Sequence, residues 1–166
     1  VIVQEAFSTT ATCRYADLLL PATTWGEKEG TVTNSERRIS RVRAAVQPPG
    51  PRANGPRHDW SIVVDFALRL EALLAPSRPT LFPYPTPESV WNEHRESTRG
   101  RDLDITGLSY ALLDAQGPQQ WPLPEGQTTG KQRLYADGIF PTADGKAKFA
   151  NTTYQAVAEP REARYP

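Results

Sequence analysis

Residues 1–22, "VIVQEAFSTTATCRYADLLLPA", decide how the fold is read. "VIVQE" is a short aliphatic run ending in two polar residues, and "ADLLLPA" is a second run stopped by Pro21. Such runs, bounded by turn-forming residues, predict short buried strands. The connection "AFSTTATCRY" is about the minimum for a crossover between parallel neighbours, and Ser8, Thr9 and Thr10 offer capping oxygens for a short helix within it. A strand, helix, strand unit is expected. Its strands resemble those of a sheet covered on both faces, and in such sheets ligands sit beyond the carboxyl ends of the strands. Gln4 and Glu5 occupy that place, as ligand-binding residues or as the start of a turn.

Next comes "WGEKEGTVTNSERRISRVR", residues 25–43, with three glutamates and five basic residues. Ionised side chains are seldom fully buried without partners, so this segment is expected to form a solvated face or a contact surface and to add little to a core. Glu27 and Glu29 read as a charge-rich turn around Lys28, in preference to paired carboxylates for catalysis. Residues 47–56, "QPPGPRANGP", hold four prolines and two glycines and predict a loop.

Beyond that loop the period changes. In "RHDWSIVVDFALRLEALLAP" (57–76), Val63, Phe66, Ala67, Leu70, Leu73 and Leu74 recur at helical spacing, with Asp65 and Arg69 placed as an i, i+4 pair. Asp59 is the expected N-cap of this helix, or else a ligand-binding acid. "TPESVWNEHRES" (86–97) begins with Thr86 as cap, Pro87 in the first helical position and Glu88 in the first turn. A further helix is expected in "GLSYALLDAQG", ending near Gly117. "KQRLYADGIF" (131–140), "GKAKFA" (145–150) and "TYQAVAE" (153–159) read as strands, with Asp144-Gly145 as a hairpin turn. The expected organisation is therefore α/β: residues 1–117 as part of a parallel-sheet nucleotide-binding domain and residues 118–166 as a β-rich extension leading to the next domain.

Composition restricts the function classes. A chain of 166 residues with 38% hydrophobic residues can build one sizeable core. A formal net charge of zero points to no nucleic acid and no anionic membrane as partner, and no apolar run approaches the roughly 18 residues of a membrane span. Cys13 is the single cysteine, so a disulfide, a four-thiolate zinc site or an iron–sulfur cluster cannot be built from this chain alone. With only His58 and His94 besides, no metal site is expected, and Cys13 reads as a small buried residue. The absence of methionine and the opening on "VIV" lead to the expectation of an internal piece of a longer polypeptide. No phosphate-binding glycine motif, nucleophile elbow or zinc-protease motif is present, and His58-Asp59, adjacent in a loop, is no triad.

The run "TATCRYADLLLPATTWGEKEGTVTNSERRISRVRAAVQPPG" (10–50), followed by "RHDW" (57–60), resembles the catalytic subunits of the molybdopterin oxidoreductases, and among them the bacterial assimilatory nitrate reductases. "TPESVWNEHRESTRGRDLDITGLSY", "GPQQWPLPEG" and "LYADGIFPTADGKAKF" are similar to the same family. The resemblance implies a bis(molybdopterin guanine dinucleotide) molybdenum centre, with a 4Fe-4S cluster whose ligands are not in this chain. It also implies reduction of nitrate to nitrite by oxygen-atom transfer, an electron-donor protein or reductase subunit as partner, and a cytoplasmic location. The family's guanosine-holding positions fall on Gln4 and Glu5, on Lys28 and on Asp59, with no catalytic or metal-ligating residue assigned in this chain. A carboxylate suits the adjacent N–H donors of guanine, so either Glu5 or Asp59 can read the base, while an acid at a strand end can equally take ribose hydroxyls. Lys28 supplies a cation for a phosphate, the base or a neighbouring acid. Two departures stand out: a loop about four residues longer, through "PRAN" (51–54), and Glu5 where aspartate is common. A formate dehydrogenase α subunit shares much of the pattern, and a non-redox guanine-nucleotide module is the alternative from another class. By itself the 166-residue chain is expected to be catalytically inert.

Overall fold

In the computed structural model of the chain, residues 1–50 and 55–164 are described; the "PRAN" segment, residues 51–54, lies outside the described residues. The chain divides into two units, Val1–Gln132 and Arg133–Pro166.

The first unit opens with the expected parallel pair. β1 (Ile2–Glu5) runs alongside β2 (Leu18–Pro21), with Ile2 opposite Leu18 and Glu5 opposite Pro21. The crossover contains a 3-10 helix, Ala11–Tyr15, preceded by Thr10. Thr10 does not cap with its side chain: its carbonyl accepts the Cys13 amide at 3.1 Å, and its hydroxyl lies 3.0 Å from Cys13 Sγ. Cys13 is half-buried, not buried.

The opposite edge of β2 is also occupied. Ala22 forms a parallel bridge with Arg57; the Arg57 amide donates to Pro21 O at 3.1 Å and the Thr23 amide to Arg57 O at 2.9 Å. Three chain segments thus run in one direction and deliver Glu5, Thr23 and His58 to the same edge. α1 (Asp59–Leu74) starts immediately beyond it. The helix lies where the sequence period places it, but its N-cap is His58 and Asp59 is the first helical residue, which corrects the capping role expected of Asp59. Asp65 pairs with Arg69 at 3.3 Å as expected.

The charged stretch 25–43 departs most from expectation. A 3-10 turn, Trp25–Glu27, leads into β3 (Gly30–Thr33), which forms an antiparallel hairpin with β4 (Arg38–Val42); β5 (Gln119–Gln120) adds on the far side of β4. Asn34 Oδ1 ties the hairpin turn by accepting the amides of Glu36 and Arg38 at 3.0 and 2.9 Å, the local side-chain bonding that favours asparagine in turns. The segment also enters the core: Ile39 is only 2% exposed. Two of its arginines bridge to acids, Arg38 to Glu36 at 3.0 Å and Arg43 to Asp114.

Ile39 packs with Trp91 from α2 (Pro87–Ser97), with Tyr110 and Leu113 from α3 (Tyr110–Gln116), and with Ile105, Leu108 and Leu123. α2 starts as read, with the Thr86 hydroxyl accepting the Ser89 amide at 3.2 Å and proline in the first turn, and α3 ends at Gly117 with φ 78°. Gly107 is required by close approach, since a Cβ there would meet the carbonyl oxygens of Pro124 and Leu123 at 2.6 and 2.7 Å.

The core therefore lies against the antiparallel sheet. The parallel pair is partly open: Ile2 and Leu18 are exposed, as are Val63, Phe66 and Leu73 on α1, whose one buried residue is Ile62. The expectation of strands covered on both faces is not met within this chain. The mixed α/β class holds, with small sheets.

The second unit corrects the strand reading of the C-terminal segments. Among its described residues no strand forms. Asp144 and Gly145 do make a tight turn, with the Gly145 amide donating to Thr142 O at 3.0 Å and the Phe140 amide to Gly145 O at 2.9 Å. Tyr135 and Phe140 stack nearby with ring centroids 5.0 Å apart.

Candidate functional site

The parallel edge gathers residues that are remote in sequence. Gln4, near the end of β1, donates from Nε2 to Asp59 Oδ1 at 2.7 Å, and Lys28 Nζ forms an ion pair with Asp59 Oδ2. Gln4 gets there because β1 and the segment before α1 flank the same strand in parallel. Asp59, in the first turn of α1, also lies where the helix dipole favours an anion. Lys28 gets there because Thr24 and Glu27 clamp the preceding turn: Glu27 Oε2 accepts the Thr24 amide at 2.7 Å and the Thr24 hydroxyl at 3.0 Å. That capping box was readable as T-x-x-E at 24–27.

Glu5 is adjacent but engaged elsewhere. Its Oε1 accepts the amides of Ala6 at 2.7 Å and Phe7 at 3.3 Å, and among the described residues no hydrogen bond joins it to the trio. Glu27 and Glu29 do not act as a carboxylate pair, because Glu27 serves the capping box and Glu29 faces Arg41 Nη2 at 3.6 Å.

The electrostatics are those of an anion held ready. Partial burial pushes the Asp59 carboxyl up, but hydrogen bonds from Lys28 and Gln4 and the charge of Lys28 outweigh it, so Asp59 ionises below the ordinary aspartate range. Its side chain remains 50% exposed. A carboxylate has about four lone-pair sites, and the two bonds described take one on each oxygen. The indole of Trp25, 6.0 Å from Lys28 Nζ, is exposed beside it. A cavity of about 550 Å³ opens alongside, lined by Glu27, Glu29, Val46, Pro49, Pro56 and His58, and a second of about 460 Å³ lies between the parallel strands and α1, reaching Gln4.

The polar groups gathered here are an amide, an ammonium and an accepting carboxylate. These suit the polar edges of a base, a ribose or a phosphate. Among the described residues no group of three or more histidines, cysteines, aspartates or glutamates is placed to hold a metal ion.

The cluster stands beyond the carboxyl ends of the parallel strands, the place where ligands sit in open α/β sheets. The family model of the molybdopterin oxidoreductases matches residues 1–69, the segment that contains all four of these positions. The chain is 38% identical over 170 residues to the assimilatory nitrate reductase of Haloferax mediterranei, covering 100% of this chain and 23% of that protein. It is 38% identical over 136 residues to the assimilatory nitrate reductase catalytic subunit of Bacillus subtilis, with 82% of this chain and 18% of that protein covered. To the F420-dependent formate dehydrogenase subunit alpha of Methanocaldococcus jannaschii it is 34% identical over 166 residues, 100% of this chain and 22% of that one. The chain belongs to the molybdopterin oxidoreductase family, a family of oxidoreductases with a molybdenum–pterin cofactor. It spans less than a quarter of the length of these curated relatives.

Proposed function

We propose that this chain forms part of the site for the guanine nucleotide arm of a bis(molybdopterin guanine dinucleotide) cofactor, in an enzyme that reduces nitrate to nitrite. The observation that carries the reading is the meeting of Gln4, Lys28 and Asp59 from β1, the 25–30 turn and the start of α1. Three residues from separate segments, joined at an exposed edge in the part of the chain matched by the family, are arranged as a binding cluster and not as a core brace.

The roles follow from chemistry. Asp59, held ionised, accepts from the N–H donors of guanine or from ribose hydroxyls. Lys28 neutralises that acid and offers its remaining N–H groups to a phosphate or to the base. Gln4 fixes the carboxylate plane through Oδ1, and Glu5 contributes a second acceptor at the strand end. When bound, the molybdenum–pterin group supplies the redox and oxygen-atom-transfer chemistry; the residues of this chain bind and orient. An electron-donor protein or reductase subunit, a 4Fe-4S cluster held by residues outside this chain, and a cytoplasmic location belong to the same proposal.

The test is cofactor retention in the intact polypeptide that carries this sequence. Losing a hydrogen bond to a charged group typically costs about 1.5–3 kcal/mol, so Asp59→Asn and Lys28→Gln are expected to speed loss of the cofactor about tenfold to a hundredfold. The readout is guanosine monophosphate released by acid per polypeptide after timed dilution. Retention equal to the unmodified protein in both variants would contradict the reading. A second reading, oxidation of formate, is favoured by the formate dehydrogenase subunit that aligns with the whole chain. A dye-linked assay offered nitrate and formate separately decides between the two.

A further inference from the structure

We propose that Arg41 is a positioning residue that aims Lys28 at Asp59, acting one step behind the binding cluster; the proposal rests on the reading of that cluster as the nucleotide site. Arginines of a charged hairpin ordinarily face water, yet the Arg41 side chain is only 11% exposed. Its guanidinium lies 3.6 Å over the ring of Tyr110, itself buried on α3. Nη1 donates to Gly30 O at 3.0 Å and to Val42 O at 2.7 Å, Nη2 lies 3.6 Å from Glu29 Oε2, and Nε lies 3.8 Å from Asp114 Oδ1.

Burying a guanidinium is a poor route to stability, because desolvation offsets much of the attraction. What Arg41 achieves is a connection. It joins the residues directly after Lys28 to α3, the most deeply packed helix of the unit. Lys28 is extended, with φ −104° and ψ 158°, so the side chains of Lys28 and Glu29 leave on opposite sides of the backbone. Glu29 goes to Arg41 and Lys28 goes to Asp59. Gly30, at φ 151°, takes a conformation that side-chain-bearing residues rarely adopt, and its carbonyl is the one Arg41 holds. With the capping box fixing the turn in front and Arg41 fixing it behind, Lys28 has one direction left. Lysine at position 41 keeps the charge but lacks the planar fork needed to hold two carbonyls while stacking on Tyr110.

The experiment uses the intact polypeptide and two readouts. The first is the acylation rate of Lys28 by an amine-reactive ester in cofactor-stripped protein, followed by mass spectrometry. The second is the rate of cofactor loss. Arg41→Met is expected to raise Lys28 acylation and cofactor loss about fivefold each, with turnover per bound molybdenum unchanged and partial recovery in Arg41→Lys; Arg38→Met, on the same hairpin, leaves both rates unchanged. Because Arg41 acts through Lys28, Arg41→Met added to Lys28→Gln is expected to speed cofactor loss no further, the signature of coupled sites. If Arg41→Met does not fold, Glu29→Gln takes its place, with the same direction expected. Unchanged Lys28 acylation in the folded variant, or additive losses in the double variant, would overturn the proposal. If Lys28→Gln and Asp59→Asn both leave cofactor retention untouched while Arg41→Met still frees Lys28, the aiming role stands and the nucleotide reading falls.

Discussion

At the scale of single residues, Asp59 and Asp104 show two ways of keeping a carboxylate ionised. Asp59 does so with Lys28 and Gln4 at a half-open edge. Its native pKa is below that of an unfolded aspartate, about 3.9, so the ion pair's contribution is fully present above that value and is lost as pH falls through the native one. Cofactor loss is therefore expected to be independent of this group from pH 7 down to about 5 and to accelerate below about 4. Asp59→Asn should remove that acid limb, which stopped-flow dilution into graded buffers would show. Asp104 is buried, which pushes its carboxyl up, but the Thr106 hydroxyl at 2.6 Å and the amides of Thr106 and Gly100 at 2.8 Å bring it below the usual range. Asp104→Ala leaves those amides without their acceptor, at a cost of about 3 kcal/mol. Hydrogen exchange read by mass spectrometry should show lost protection at Gly100 and Thr106.

At the scale of elements, local chemistry wrote some boundaries and tertiary context wrote others. Thr86-Pro87-Glu88 and Gly117 were legible because caps and stops act within one helical turn. β1 and β2 were legible because their runs are uninterrupted. The β3–β4 hairpin was not: Arg41, not an aliphatic residue, fills a core-facing place, so the alternation that betrays a strand is broken by charge. The C-terminal segments failed in the opposite sense. They have strand-like composition, but strand propensity expresses itself only where neighbouring strands and a packed face exist, and among the described residues they pair with none. Lys28 came from resemblance to a family and Asp59 stood out locally as an N-cap or else a ligand-binding acid, whereas the Gln4–Asp59 bond spans 55 positions and left no local mark. The core that braces these elements is small, so it is sensitive: Leu108, fully buried between α2, α3 and the Leu123 segment, should cost about 2–5 kcal/mol when cut to alanine. Gly107→Ala should loosen the same junction, because a Cβ there would meet the Leu123 side chain and, just behind it, the backbone carbonyl oxygens of Pro124 and Leu123 at 2.6 and 2.7 Å. Urea unfolding followed by Trp91 and Trp121 fluorescence is the measurement for both.

At the scale of the whole molecule, the distribution of apolar surface is uneven. The antiparallel sheet and its helices enclose a core, while Ile2, Leu18, Val63, Phe66, Leu73 and Leu74 lie open around the parallel pair. A two-stranded sheet with such a surface is marginal in water by itself. A 166-residue polypeptide produced alone is therefore expected to bind a hydrophobic dye strongly, to associate at micromolar concentration, and to show no nitrate or formate turnover. Turnover by that chain, or a dye-silent monomer, would contradict this.

The claim on which the rest depends is that Gln4, Lys28 and Asp59 contact the guanine nucleotide arm of the cofactor. An experimental structure of the cofactor-loaded polypeptide tests it most directly. The expected result is a guanosine moiety within hydrogen-bond distance of the Asp59 carboxylate and the Lys28 ammonium, with Arg41 still on the Gly30 carbonyl. A guanosine bound elsewhere, with the Lys28–Asp59 pair facing only solvent or protein, would contradict it.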